Sequence, residues 1–419
     1  MHILLVADGR SPITRRWVQS LVTLENQVTL VSSFPCNPLP GVTDMFILPV
    51  AFAGLGGNQV GGSGAPIPRP DRLRQAVSRS RNLFLSTRYL IGPATLPFYK
   101  RSFINIVEKS KPDLVHALRI PFEGMLARYT PPGVPLVVSI WGNDLTLHGL
   151  GSPRMRTLTE SVLQKAVGLM ADAHRDIRLG QHWGFGSQKP SLVVPGAGGV
   201  DLMEINRANL PLGESLADRL PAGMPLVVNP RGFRPGSVRN DVFFQAIPLV
   251  LQRWTSPVHF ICTAMDGQPE AIRWVQRLNL GQHVRLLPYL TQPQLWDLFL
   301  RVDISVSIST HDGTPNTLLE AMACGCLPVA GDIESLREWI TPGVNGLLVE
   351  PGKPQALAEA LLLGLEHPEL RKRAAEVNRN IIRQRADASM IRTQVGAFYQ
   401  KIVNNSINGE NGETGSMVP

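Results

Sequence analysis

Lysine is scarce in this 419-residue chain: of its 41 basic residues only 8 are Lys, and 33 are Arg. Set against 33 acidic residues, this leaves a formal charge of +8. That excess favours an anionic partner, whether nucleic acid, an acidic membrane surface or a phosphorylated substrate. Nucleic acid is the weakest of the three, because basic and aromatic residues are not interleaved in any recognition module. No apolar run reaches the ~18 residues of a membrane-spanning helix. The opening MHILLVADG is too short for a secretory leader and lacks the basic start and cleavage site of one. The four cysteines, Cys36, Cys262, Cys324 and Cys326, are too few and too irregular for a disulfide framework. Cys324-x-Cys326 has no second pair of ligands near it, which argues against zinc. A soluble, reduced, cytoplasmic protein is expected. No Ser/His/Asp or Cys/His constellation suggests a nucleophilic hydrolase.

What is present is globular: 43% hydrophobic and 18% charged residues, on a length sufficient for two domains. Met1–Ala7, the helical pattern through Trp17, Val18, Leu21 and Val22, and Gln27–Ser32 read as strand, helix, strand. The alternation returns at Asp113–His116, Pro135–Ile140 and Ser191–Pro195. A Gly/Pro-rich insert, Ala53–Pro70, reads as a loop. A second series begins near Pro225, with strands at Leu226–Asn229, Val258–Thr263, Val284–Leu287, Ile304–Ile308 and Leu327–Ala330. Pro211, Gly213, Pro221 and Gly223 mark a linker within 203–224. Helices are expected at Ala356–Leu363, Glu369–Asn380 and Ser389–Val403. The fold class is therefore α/β, with two Rossmann-like, doubly wound parallel-sheet domains facing a cleft. The expected divisions are 1–205, completed by a returning helix at about 385–403, then 206–384, and a disordered tail at 404–419.

Residues 303–353 carry the densest signal. A strand ending near Thr310 leads to His311-Asp312-Gly313-Thr314, then Pro315-Asn316-Thr317-Leu318-Leu319-Glu320-Ala321-Met322-Ala323-Cys324-Gly325. Thr314 is suited to cap a helix with Pro315 in its first turn, and Gly325 to close it. The free amides at that helix start form an anion site. Asp312 precedes them and Glu320 lies inside the helix, so two carboxylates can meet different parts of one ligand. After the strand near 226–229 comes Asn229-Pro230-Arg231-Gly232-Phe233-Arg234-Pro235-Gly236-Ser237-Val238-Arg239, three arginines in a Gly/Pro loop suited to bidentate phosphate contacts.

The stretch Asp312, Glu320, then Ala321-Met322-Ala323-Cys324-Gly325-Cys326-Leu327-Pro328-Val329 resembles the donor-binding signature of the retaining, nucleotide-sugar-dependent glycosyltransferases of family 4 (glycosyl transferases group 1, GT-B fold). It continues through Asp332, Glu338, Ile340, Pro342–Val349 and Pro351-Gly352. Asp312 stands where the family has the first of two glutamates. The resemblance implies that Glu320 holds the ribose hydroxyls, that Asp312 faces the donor sugar, and that amides of Gly313, Thr314, Pro315, Asn316 and Thr317 run along the diphosphate. Pro315, an imino acid, can give only its place in that run. Arg231 and Arg239, with Arg234 as a further donor contact, would neutralise the leaving diphosphate without a metal or other cofactor, and no Asp-x-Asp motif sits in these segments.

The N-terminal half resembles the family less closely. Gly9, in Asp8-Gly9-Arg10-Ser11-Pro12, matches the loop that faces donor and acceptor. Lys111-Pro112-Asp113-Leu114-Val115-His116 resembles a Lys-Pro-Asp-x-x-His segment in which His116 reaches the sugar; a satisfied core histidine is the competing reading. Ser139–Asp144 stands where many relatives have Thr-x-His-Gly-x-Asp. Trp141 replaces that histidine, leaving Trp141, Asn143 and Asp144 as acceptor-side candidates, with His148 and His174 behind them. Pro195–Asp201 resembles the turn that ends the first domain. The basic cluster Arg69, Arg72, Arg74, Arg79, Arg81 and Arg88, before the apolar stretch Leu83–Phe98, suits either a solvated helix or docking on anionic lipid. The resemblance thus implies a hexosyl transfer from a nucleotide sugar to a glycan, lipid-linked or small-molecule acceptor, as in cell-envelope polysaccharide synthesis. The competing readings are a silent nucleotide-sugar-binding or scaffold protein and a sugar-nucleotide epimerase.

Overall fold

The computed structural model describes residues 1–51, 53, 86–207, 220–221, 223–234 and 236–413. It divides into two units, Met1–Gly198 with Ser389–Pro419, and Gly199–Ala388. The first holds seven strands, β1 (His2–Ala7), β2 (Gln27–Ser32), β3 (Asp44–Ile47), β4 (Leu114–Ala117), β5 (Leu136–Ile140), β6 (Gly168–Ala171) and β7 (Ser191–Val193). They form one parallel sheet in the order β3-β2-β1-β4-β5-β6-β7. The second holds β8 (Leu226–Asn229), β9 (His259–Cys262), β10 (Val284–Leu286), β11 (Ile304–Ser307), β12 (Leu327–Gly331) and β13 (Leu347–Val349), parallel in the order β10-β9-β8-β11-β12-β13. Both orders reverse beside the first strand of their unit, which opens a crevice at the carboxyl ends of β1 and β4 and of β8 and β11.

The central strands of each sheet are buried on both faces, so they read as unbroken apolar runs rather than alternations. Alternate residues still go to opposite layers. In the first sheet Leu4, Val6, Val115, Ala117, Val138 and Ile140 join one cluster. Ile3, Leu5, Leu114, Val137 and Met170 join the other, with Ile391, Val395, Phe398, Tyr399 and Ile402 of the C-terminal helix packed over them. That helix, Ala388–Glu413, therefore completes the first unit. Gly168 permits its approach, because a Cβ there would lie 2.7 Å from Ile402 Cδ1.

Several expectations are corrected. The segment from 404 is helical through Glu413 rather than disordered, since extending a formed helix needs no new nucleus. Helix also occupies Leu202–Arg207, inside the expected linker. The strands β3, β6 and β13 were not anticipated. All three are only three or four residues long; β3 is half-exposed, and β6 carries the weak strand formers Gly168 and Ala171. The loop expected at Ala53–Pro70 falls outside the described residues apart from Ala53, as do Arg69, Arg72, Arg74, Arg79, Arg81 and Pro235. No helix among the described residues is long and apolar enough to cross a membrane.

Candidate functional site

In the second unit, the loop after β8 is fixed at both ends by one asparagine pair. Asn229 Oδ1 accepts from the Arg231 amide at 3.0 Å, and Asn229 Nδ2 donates to Asn240 Oδ1 at 2.8 Å. The loop is also stitched to the segment leaving β11: the Arg239 amide donates to the Ile308 carbonyl at 2.9 Å, and the Thr310 amide to the Ser237 carbonyl at 2.8 Å. Ser237 Oγ adds a bond to the His311 carbonyl. The two loops at the switch point thus form one structure.

Arg231 lies at its centre, 4% exposed. Its Nη1 donates to Ser307 Oγ at 3.2 Å and its Nη2 to Asp312 Oδ2 at 2.8 Å. Ser309 Oγ donates to the same carboxylate oxygen at 2.9 Å, and the Asp312 carbonyl accepts from Ser335 Oγ at 2.8 Å. Arg239 has a different environment. It is half-buried and paired with Asp241 through Nε and Nη2 at 2.9 and 2.7 Å, which holds the Asp241 carboxyl below its ordinary range. The two arginines expected to act together therefore hold separate carboxylates. Arg234 is exposed on the same loop.

The helix Asn316–Cys324 begins differently from expectation. Pro315 is its N-cap, with extended backbone (ψ 127°), and no side chain caps it. Thr314 stands one residue ahead of that cap, and its Oγ1 accepts from the Trp339 indole at 2.9 Å. The first amides of a helix have no acceptor within it, so those of Asn316 and Thr317 remain open to an anion. Thr317 Oγ1 is buried beside them without a hydrogen-bond partner. Glu320 lies one turn in, 3% exposed. Gly325 closes the helix at φ 94°, as expected. Gly313, Thr314 and Pro315 are buried where the loop turns into the helix.

In the first unit the structure revises two residues. His116 is fully buried, with Nδ1 bonded to Tyr399 Oη at 2.6 Å and Nε2 to Ser139 Oγ at 2.8 Å. Burial pushes its pKa down to about 3. With both nitrogens engaged it is a core residue joining β4 and β5 to the C-terminal helix, rather than a sugar contact. Asp144 is also fully buried. It accepts from Arg119 Nη2 at 2.7 Å and from the amides of Ile120 and Trp141 at 3.2 Å each, fastening the loops after β4 and β5. It is a positioning residue, not one that meets an acceptor. Gly9 is buried against Ser32, whose Oγ accepts from its amide at 3.1 Å; a Cβ there would collide with Cys36 Sγ. Trp141 is half-buried under the Arg119 guanidinium, 5.2 Å from the ring centre, and Asn143 is half-buried next to Asp144.

The residues missed by sequence reasoning are small: Ser307, Ser309 and Ser335 around the Arg231–Asp312 pair, and Gly331, against which Ser309 lies. Only Gly331, a glycine at a strand end, carried a local signal. Among the described residues no group of three or more His, Cys, Asp or Glu side chains is arranged to hold a metal ion.

Residues 222–381 match the family model of the glycosyl transferases group 1. A D-inositol 3-phosphate glycosyltransferase of Thermobispora bispora is 33% identical over 92 residues, 22% of each chain. A phosphatidyl-myo-inositol mannosyltransferase of Mycobacterium tuberculosis is 28% identical over 166 residues, 38% of this chain and 43% of the relative. The matches thus span between about a fifth and two fifths of these relatives' length. Among solved structures, a sucrose-phosphate synthase from Thermosynechococcus elongatus superposes with a TM-score of 0.71 at 18% identity, covering 97% of this chain and 100% of that one. HepE of Anabaena, solved in complex with UDP, gives 0.65 at 17% identity, covering 96% and 100%. The chain accordingly has the GT-B fold, and within it residues 222–381 are similar to the glycosyl transferases group 1.

Proposed function

We propose that this chain transfers a sugar from a nucleotide-sugar donor to an acceptor hydroxyl, with retention of anomeric configuration and without a metal ion. The observation that carries the reading is the Arg231–Asp312 pair at the carboxyl ends of β8 and β11, immediately ahead of a helix N-terminus that holds Glu320 one turn in. Glu320 takes the ribose hydroxyls, and the Asn316 and Thr317 amides take the diphosphate. Arg231 stabilises the charge that grows on the leaving phosphate, while Asp312 orients the sugar hydroxyls. Guanidinium and amide dipoles supply the positive charge that other transferases draw from a metal. Arg239 and Arg234 lie on the same loop and complete the cationic rim. HepE is described in complex with UDP-glucose, so uridine-diphospho sugars are the first donors to test.

A nucleotide-release assay over a panel of nucleotide sugars and acceptors, with and without EDTA, tests the reading. Turnover insensitive to EDTA, with a product of the donor's anomeric configuration by proton NMR, is expected. Nucleotide binding without turnover on any acceptor would identify a silent binding protein instead. Association with an anionic membrane belongs to the same proposal. Phe98 is 82% and Leu90 63% exposed, close to the exposed Lys100 and Arg101. Flotation with anionic vesicles, weakened by Phe98→Ser, is the expected result, and no flotation of the unmodified chain would refute it.

A further inference from the structure

Beyond the carboxyl ends of β2 and β4, the first unit gathers guanidinium groups around two aromatic rings. Arg10 lies 3.6 Å and Arg88 5.6 Å from the centre of the Phe34 ring, and Arg88 lies 4.8 Å from that of Phe122. Arg10 is paired with Asp8 at 2.9 Å and Arg119 with Asp144 at 2.7 Å. Arg88 makes no ion pair among the described residues, and its Nε is buried without a hydrogen-bond partner, as is that of Arg119. Burial and the nearby Arg119 and Arg10 charges together lower the proton affinity of Arg88, against the pull of Glu123. Glu123 is 3% exposed; its Oε1 accepts from Ser33 Oγ, and its Oε2 is buried with no partner. A half-buried cation beside like charges and an unmatched buried carboxylate oxygen is a costly arrangement for a free protein. An anion adjoining a hydroxyl donor satisfies both.

We propose that Arg88 and Arg119 bind an anionic group of the acceptor while Glu123 accepts a hydrogen bond from one of its hydroxyls. The acceptor is then a sugar or polyol bearing a phosphate or a carboxylate. This rests on the transferase reading above, and it adds the substrate class. The planar, forked guanidinium suits either anion, and the Phe34 and Phe122 faces hold Arg88 in place.

Calorimetric titration of the full chain, with UDP present, tests the inference using two matched pairs: myo-inositol against myo-inositol 1-phosphate, and glucose against glucuronate. One charged probe is expected to bind at least tenfold more tightly than its neutral partner. A preference within the first pair assigns a phosphate, and within the second a carboxylate. Arg88→Gln should abolish the preference and Arg88→Lys retain part of it. Glu123→Gln should weaken the charged polyol while leaving inorganic phosphate binding unchanged. Equal affinities within both pairs, no binding of either charged probe, or an undiminished preference in Arg88→Gln would overturn the inference. An equal loss of inorganic phosphate in Glu123→Gln would overturn the hydroxyl contact. UDP affinity, read in the same titrations, separates the two readings. Its absence refutes the donor site, whereas intact UDP binding without charge preference refutes this inference alone.

Discussion

Arg231 and Asp312 are bonded to one another, Nη2 to Oδ2 at 2.8 Å, and the Ser309 hydroxyl donates to the same oxygen. The sequence assigns them to different ends of a donor, the cation to its diphosphate and the carboxylate to its sugar. The structure makes them one unit across the two loops of the switch point. A mostly buried pair of this kind is costly to break from either side, because the remaining charge loses its partner.

Arg231→Ala and Asp312→Ala should therefore each lower kcat/KM by about 10²–10³, the scale of removing one preorganised electrostatic contact. The double variant should lose little more than either single one, giving a coupling close to one whole single loss, about 3–4 kcal/mol in a double-mutant cycle. Arg231→Lys should not restore activity. An ammonium cannot reach Ser307 and Asp312 with the fork that a guanidinium presents. Additive losses in the cycle would show that the two act separately.

Glu320 is 3% exposed on the helix that follows. On the proposed reading Glu320→Ala removes at least one charge-assisted hydrogen bond to the ribose, worth about 1.5–3 kcal/mol. UDP should then bind at least roughly 10- to 100-fold more weakly by calorimetry. Unchanged affinity would place the ribose elsewhere.

In the second half, the proposed donor contacts Asp312 and Glu320 were legible because one loop and one helix follow each other directly, so spacing alone brings them to the same strand end; their tie to Arg231, 81 positions away, was not. The first half was less so, because its deciding contacts join residues far apart in sequence. The bond between His116 and Tyr399 spans 283 positions, and Arg119 reaches Asp144 from the loop after β4. A buried, doubly bonded histidine and one that meets a sugar have the same local sequence. Serines such as Ser309, whose role is only to accept or donate one bond, leave no pattern to read.

His116 predicts a pH dependence. Its folded pKa of about 3 lies below the ordinary 6.5, so between these values the unfolded chain binds the extra proton. Stability is then undiminished by this group above pH 6.5 and falls as pH drops from 6.5 toward 3, by a few kcal/mol in all, on the order of ~1.4 kcal/mol per pH unit. Urea midpoints of the wild type should fall through this window, and those of His116→Gln should fall less. Parallel slopes would mean that other groups carry the acid sensitivity.

Gly331 offers the most selective test of the proposed site, because it brings no side chain to it. It ends β12, and a Cβ there would lie 2.5 Å from the Ser309 carbonyl oxygen and 3.1 Å from the Ser309 amide. Both are backbone atoms, so Gly331→Ala must displace the segment rather than rotate a side chain. Ser309 is fully buried and bonded to Asp312, which in turn holds Arg231. The strain of such overpacking, about 1–3 kcal/mol, should lower the melting temperature. It should also lower kcat/KM well beyond what that destabilisation explains at assay temperature. UDP affinity should stay within about twofold, since Glu320 and the amides at the start of its helix lie on the other side of Asp312 in the chain. Gly281→Ala, where a Cβ would meet nothing within 4 Å, supplies the neutral control. A Gly331→Ala variant that is destabilised yet fully active per folded molecule would show that the position of Ser309, and through it of the Arg231–Asp312 pair, is not what the reaction depends on.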